Sequence, residues 1–262
     1  MTKQSARPAP HDDEDHDLGL SHDLPRLFNR RSALGFLGGA TLLALTAAAT
    51  PAFAATGEIP EETAGPYPGD GSNGKNVLNQ SGVVRSDIRS SFGSSRTLAR
   101  GIPLTVTMQM LDYSKNSVPI PGAAVYLWHC DRDGNYSMYS PATVNENYLR
   151  GVQAADSKGQ VTFKTIYPAC YSGRWPHIHF EVYPTLKSAL AATSRLRTSQ
   201  LALPESTSKA VYAMSGYEQS IRNLAQVSLT SDMVFSDGYR LQTPTMTGST
   251  SSGYRATIKV PV

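Results

Sequence analysis

The chain has 262 residues, of which 40% are hydrophobic and 17% charged, a globular composition that argues against disorder. Its 24 basic and 21 acidic residues leave a formal charge of +3, too even a balance for a protein held to nucleic acid by phosphate contacts. Six histidines and two cysteines are too few for a zinc-finger array or a disulfide-framed miniprotein.

Residues 1–54 read as an export signal. A polar stretch to Asn29 meets Arg30-Arg31-Ser32, an apolar run from Ala33 to Ala49 follows, and Ala52 and Ala54 supply a small-x-small cleavage site. Paired arginines before a modest Gly- and Ala-rich run resemble a twin-arginine signal. That predicts a secreted or periplasmic protein with no membrane attachment after cleavage. The competing reading is a retained anchor, since about 17 apolar residues can just span a bilayer. All 13 tyrosines lie beyond this leader, with only three of the six histidines: His129, His177 and His179.

Residues 55–262 have the length of one domain. The Gly/Ser/Asn-rich 69–95 region predicts a long surface loop. Period-two alternation predicts strands over Pro103–Leu111, Ala123–Trp128, Gln160–Ile166, His177–Tyr183 and Arg255–Val260. Turn signals separate them at Pro121-Gly122, Asp133-Gly134-Asn135 and Lys158-Gly159. Helical patterning is confined to short stretches near 186–193 and 205–224. The expectation is an all-β protein: an antiparallel β-sandwich, transthyretin- or immunoglobulin-like, with long loops and short helices. Its C-terminal part is expected to complete the sandwich and one wall of a pocket.

On the strand 177–183, residues i and i+2 face one side about 6.5–7 Å apart, so His177 and His179 project together. Two imidazoles so placed suit a metal ion, and Glu181 one step further permits a two-His-one-carboxylate ferrous or zinc site. Two surface histidines on a sheet face are the plain alternative. A third possibility is a secreted binding module on a transthyretin-like sandwich that recognises carbohydrate or lignin fragments through its aromatic residues.

Two tyrosine-bearing turns add to this: Trp128-His129-Cys130-Asp131-Arg132-Asp133-Gly134-Asn135-Tyr136, and Thr165-Ile166-Tyr167-Pro168-Ala169-Cys170-Tyr171 leading through Arg174 to His177. Here the chain resembles the intradiol ring-cleavage dioxygenases. That family has a Trp eight residues before a first ligand Tyr, a Thr-Ile-x-Pro-Gly-x-Tyr turn, and an Arg three residues before a His-x-His pair. Tyr148-Leu149-Arg150-Gly151 and Thr63-Ala64-Gly65-Pro66-Tyr67 look like further family segments, so the resemblance covers 58–185.

The resemblance implies a non-haem Fe(III) held by Tyr136, Tyr171, His177 and His179, with a small aromatic diol and dioxygen as substrates. Tyr171 would leave the metal to help take a substrate proton, and Arg174 would orient the substrate and stabilise negative charge on the ring. Thr63, Gly65 and Pro66 would line the pocket. Phenolate, a hard anionic donor, favours ferric iron, and the cation in turn drives tyrosines from a pKa near ~10 to their ionised form. Tyr139, Tyr167, Tyr183, Trp128 and His129 read as structural.

Ala169 stands where the family has Gly; if that position required a positive φ, Ala would cost about 1 kcal/mol there. Cys130 and Cys170 could close a loop worth roughly 3–4 kcal/mol as a disulfide, or remain buried thiols.

Overall fold

A computed structural model describes residues 57–262, so the export signal expected over 1–54 lies outside the described residues. Nine strands are found there: β1 (Pro103–Asp112), β2 (Val118–Pro119), β3 (Ala124–Trp128), β4 (Arg150–Ala154), β5 (Gln160–Ile166), β6 (His177–Tyr183), β7 (Arg197–Ala202), β8 (Thr245–Ser249) and β9 (Gly253–Pro261). The helices are short: α1 (Leu186–Leu190), α2 (Glu205–Tyr212) and α3 (Glu218–Leu224). One sheet runs β2-β1-β9-β8 with β5 also on β1; the other runs β4-β3-β6-β7. Because β9 flanks β1 along its length, β5 and β2 share the opposite edge end to end.

The first sheet shows why alternation was readable. Leu104, Val106, Met108 and Met110 of β1 point into the core, together with Val161 and Phe163 of β5 and Ala256, Ile258 and Val260 of β9. The residues between them face outward, as Thr162, Lys164, Arg255 and Lys259 do. Val125 and Leu127 of β3 and Ile178, Phe180 and Val182 of β6 enter the same core from the second sheet.

Two expectations need correction. The strands are not all antiparallel: β1 and β9 pair in parallel, from Leu104 opposite Tyr254 to Leu111 opposite Pro261. Parallel neighbours need a long crossover, and here the whole second sheet and the helices intervene between β1 and β9. Nor is 69–95 merely a surface loop. It is irregular, but Val77, Leu78, Val83 and Ile88 are buried, and most of them roof the outer face of the second sheet. That sheet is therefore covered on both sides, and all seven residues of β6 are buried.

Candidate metal centre

On β6 the even-numbered residues enter the core, which turns His177, His179, Glu181 and Tyr183 to the roofed face. Trp128 lies opposite His179 in the β3–β6 register, and its indole stacks on the imidazole at 5.0 Å and 7°. Tyr126 stacks in turn on Trp128, so the His179 ring rests on a rigid aromatic floor. His177 donates Nδ1–H to the Trp175 carbonyl (2.5 Å), which leaves its Nε2 as a lone pair facing the site.

The two tyrosine turns bring their phenols to the same place. Ala169 N donates to the Asp131 carbonyl, tying the turns together, while Ser220 and Asn223 of α3 hold the backbone of Cys170. The Tyr136 hydroxyl lies 3.4 Å from His177 Nε2 and 3.2 Å from His179 Nε2. The Tyr171 hydroxyl is 3.2 Å from His177 Nε2, and the two Nε2 atoms are 3.1 Å apart.

These spacings fit a metal ion. Donors about 2.0–2.1 Å from one ion at near-tetrahedral angles stand about 3.2–3.4 Å from each other. The donor chemistry fits as well. Burial pushes both imidazoles well below the usual histidine range, which suits them to act as neutral donors. Burial, and then the neighbouring Tyr171, push Tyr136 well above the usual phenol range, so only a strong Lewis acid would ionise it.

A small recess, open to solvent, lies over these groups. Tyr136, Tyr171 and His179 form its floor. Gly65, Pro66 and Tyr67 form one wall, and Arg174 another. Gly65 takes φ +70°, and a Cβ there would stand 3.3 Å from His179 Cε1, so the wall approaches the imidazole as closely as a backbone can. Thr63 does not face the recess; its Oγ1 accepts from Gly65 N and so shapes the wall. Arg174 is buried and donates Nε–H to Asp232 (2.9 Å) and Nη2–H to Gln200 (2.7 Å). Burial opposes its charge, but Tyr171 and Asp232 hold it on.

Glu181 is brought to the same face but not to the histidines. Its carboxylate accepts from Tyr183 Oη and Arg195 Nη1, each at 2.7 Å, and among the described residues no third histidine, cysteine or carboxylate joins His177 and His179. Among the described residues the two-His-one-carboxylate arrangement is not formed. Ala169 needs no positive φ, so the missing glycine carries no strain. Cys130 and Cys170 are buried free thiols that face the Ala169 and Arg174 carbonyls respectively, rather than each other. His129 is structural, bonded to the Cys130 carbonyl and Thr165 Oγ1 and held at about 4 by burial.

Three residues escaped the sequence reading. Tyr67 lay inside a segment already singled out. Asp232 and Gln200 gave no signal, because neither sits in a motif. The C-terminal part completes both sheets, but it backs Arg174 through Asp232 instead of walling the recess.

Residues 87–183 match the Dioxygenase family model. A 56-residue stretch is 39% identical to chlorocatechol 1,2-dioxygenase of Rhodococcus opacus, and a 53-residue stretch is 38% identical to catechol 1,2-dioxygenase of a Pseudomonas species. Those stretches cover 21% and 20% of this chain and only 22% and 17% of the relatives. In structure the chain is similar to an intradiol ring-cleavage dioxygenase from Tetranychus urticae, with 26% identity and a TM-score of 0.62, over 78% of this chain and 94% of that one. It also shares the fold of the dioxygenase domain of a dioxygenase–carbohydrate-binding fusion from Streptomyces sp. SirexAA-E (21% identity, TM-score 0.50, 79% and 98% covered). The resemblance to intradiol ring-cleavage dioxygenases therefore holds in sequence and in fold.

Proposed function

We propose that this protein is an exported ferric intradiol dioxygenase. It would insert both atoms of dioxygen into a catechol-type diol and open the ring between the hydroxylated carbons to a cis,cis-muconate-type product. The carrying observation is the convergence of two phenol oxygens and two imidazole nitrogens, joined by four spacings of 3.1–3.4 Å, beneath a recess that also presents an arginine. Export rests on the Arg30-Arg31 leader, and the fold that goes with it is a two-sheet, transthyretin-like sandwich.

Tyr136, Tyr171, His177 and His179 would hold the iron. When bound, Fe(III) supplies the Lewis acidity that ionises phenols and diol, and the electron-accepting orbital that makes the ring reactive toward dioxygen. Tyr171, only half-buried where Tyr136 is buried, is the phenol suited to release and to take a substrate proton. Arg174, fixed by Asp232 and Gln200, stabilises negative charge as it develops on the ring. The wall of Gly65, Pro66 and Tyr67 bounds the recess in which the ring would lie.

The test is a visible spectrum with metal analysis. Ferric-loaded protein should be coloured, hold iron equimolar with chain, shift its band to longer wavelength with catechol, and consume dioxygen as the ring opens. Tyr136→Phe should bleach the band and stop turnover. Protein that stays colourless after ferric loading and leaves catechol untouched overturns the assignment and returns the binding module to the front.

A further inference from the structure

Given the ring-cleaving function proposed above, we infer that Asp232 is a specificity-determining and positioning residue: it neutralises Arg174, and it thereby reserves the recess for uncharged catechols and excludes those bearing a carboxylate. Arg174 is the only charged side chain among the residues that line the recess. A ring carboxylate entering there must lose its water and find a cation instead.

That cation is already matched. The Arg174 Nε–Asp232 Oδ2 ion pair spans 2.9 Å, and the Asp232 side chain is 0% exposed. Asp232 is itself locked in place by the backbone N–H groups of Trp175, Val234 and Phe235. Gln200 accepts Nη2–H and, through its own Nε2, donates to the Thr63 carbonyl, which pins the guanidinium to the segment carrying Gly65. With Nε–H held by Asp232 and one Nη2–H by Gln200, the guanidinium keeps N–H donors for a ligand, but its positive charge is already matched by the Asp232 carboxylate, so an entering carboxylate would share that charge with a buried anion.

The surroundings add no positive charge to spare. Glu62 lies within electrostatic range of both members of the pair, and Asp237 within range of Glu62, so these neighbours are carboxyl groups that bring no second cation. The other nearby cation, Arg150, is fully buried and donates to the Pro68, Tyr67 and Ser137 carbonyls, to Ser137 Oγ and to the Tyr126 hydroxyl. A neutral ring meets none of this cost, while Arg174 can still answer charge that develops during the reaction.

The experiment compares catechol, 3,4-dihydroxybenzoate and its methyl ester on iron-loaded protein. The ester has the bulk of the acid without its charge. We expect kcat/KM for the acid to fall at least ~100-fold below that for the ester, a difference of about 2.7 kcal/mol. Asp232→Asn should raise the acid-to-ester ratio at least ~10-fold, whatever it does to absolute rates. A purely structural Asp232 would slow both substrates and leave the ratio alone, which overturns the inference. So does a wild-type protein that accepts the acid as readily as the ester, or one that refuses both while cleaving catechol, since size would then be the filter.

Anaerobic binding of the acid and the ester, with and without iron, gives a readout independent of turnover and of whether the variant folds. Tighter binding of the ester supports the inference and equal binding overturns it, even where no catechol is cleaved and the proposed function itself has failed.

Discussion

Replacing Gly65 with alanine tests how tightly the wall is fitted to His179. Two costs are set by the structure. At φ +70° an L-residue loses about 1–2 kcal/mol relative to glycine, partly offset by about 0.4–1 kcal/mol from the less flexible unfolded chain. The new methyl would also sit 3.3 Å from His179 Cε1 and 3.8 Å from Nε2, and the ring cannot retreat because Trp128 stacks behind it at 5.0 Å. The ring must therefore slide by a few tenths of an ångström, which adds strain. A net loss of about 1–2 kcal/mol corresponds to a Tm lower by about 2–8 °C for a domain of this size. Sliding Nε2 should weaken metal retention and slow turnover several-fold. Gly74→Ala is the control: φ is +93° there but nothing lies within 4 Å of the added Cβ, so it carries backbone strain alone. Thermal melts, metal titration and ring-cleavage rates on both variants decide the matter. If Gly65→Ala matches Gly74→Ala in melting temperature, metal affinity and rate, the contact with His179 has no consequence and the reasoning fails.

Glu62 gives a pH signature. Burial first, then Asp237, raise its carboxyl to about 7, so the folded protein binds this proton more tightly than the unfolded chain. That stability is fully present below pH ~4.5 and is lost as pH rises toward 7, by about 1–2 kcal/mol once solvent screening is allowed for; Glu62→Gln should flatten the Tm–pH curve across that window. Burial holds the Cys170 thiol up to about 12 and Cys130 higher still, so a thiol reagent at pH 8 should find neither in folded protein and both in denatured, unreduced protein. Arg150→Met should leave the Tyr67, Pro68 and Ser137 carbonyls short of donors and lower the denaturant midpoint by at least ~3 kcal/mol in ΔG without changing the m-value.

What the sequence made legible follows from which faces are wet. Strands β1, β5 and β9 each expose one side, so their apolar residues alternate cleanly, and all three were expected. Strand β7, Arg-Thr-Ser-Gln-Leu-Ala, has no such pattern because Thr198, Ser199 and Gln200 are all buried, with Gln200 bonded to the Thr63 carbonyl and to Arg174 and Ser199 to Gln242. Strand β4 opens on a buried arginine, and β8 is a mostly exposed edge of Thr, Gly and Ser. The four residues at the centre were visible as local spacings, at most eight residues from a landmark. Asp232 and Gln200 act on Arg174 across 58 and 26 residues, and nothing local marks a partner that only the fold brings near.

The same geometry explains why Glu181 was a plausible ligand and is not one. Period two says which face a strand residue occupies, and His177, His179, Glu181 and Tyr183 do share a face. That face is roofed, so its polar groups look for partners there, and among them only His179 Nδ1 has none in hydrogen-bond reach. The strand solves this differently along its length. At the His end the neighbours are phenols and an open recess, which leaves the imidazole lone pairs facing phenol oxygens rather than a charged partner. At the Glu end the neighbours are Arg195 and the Tyr183 hydroxyl, which saturate the carboxylate at 2.7 Å each and turn it into a structural pair. A metal placed between His179 and Glu181 would have to break that pair and leave Arg195 uncompensated against a buried sheet. The phenols ask for no such loss, and so a metal at the proposed centre would take tyrosine rather than carboxylate.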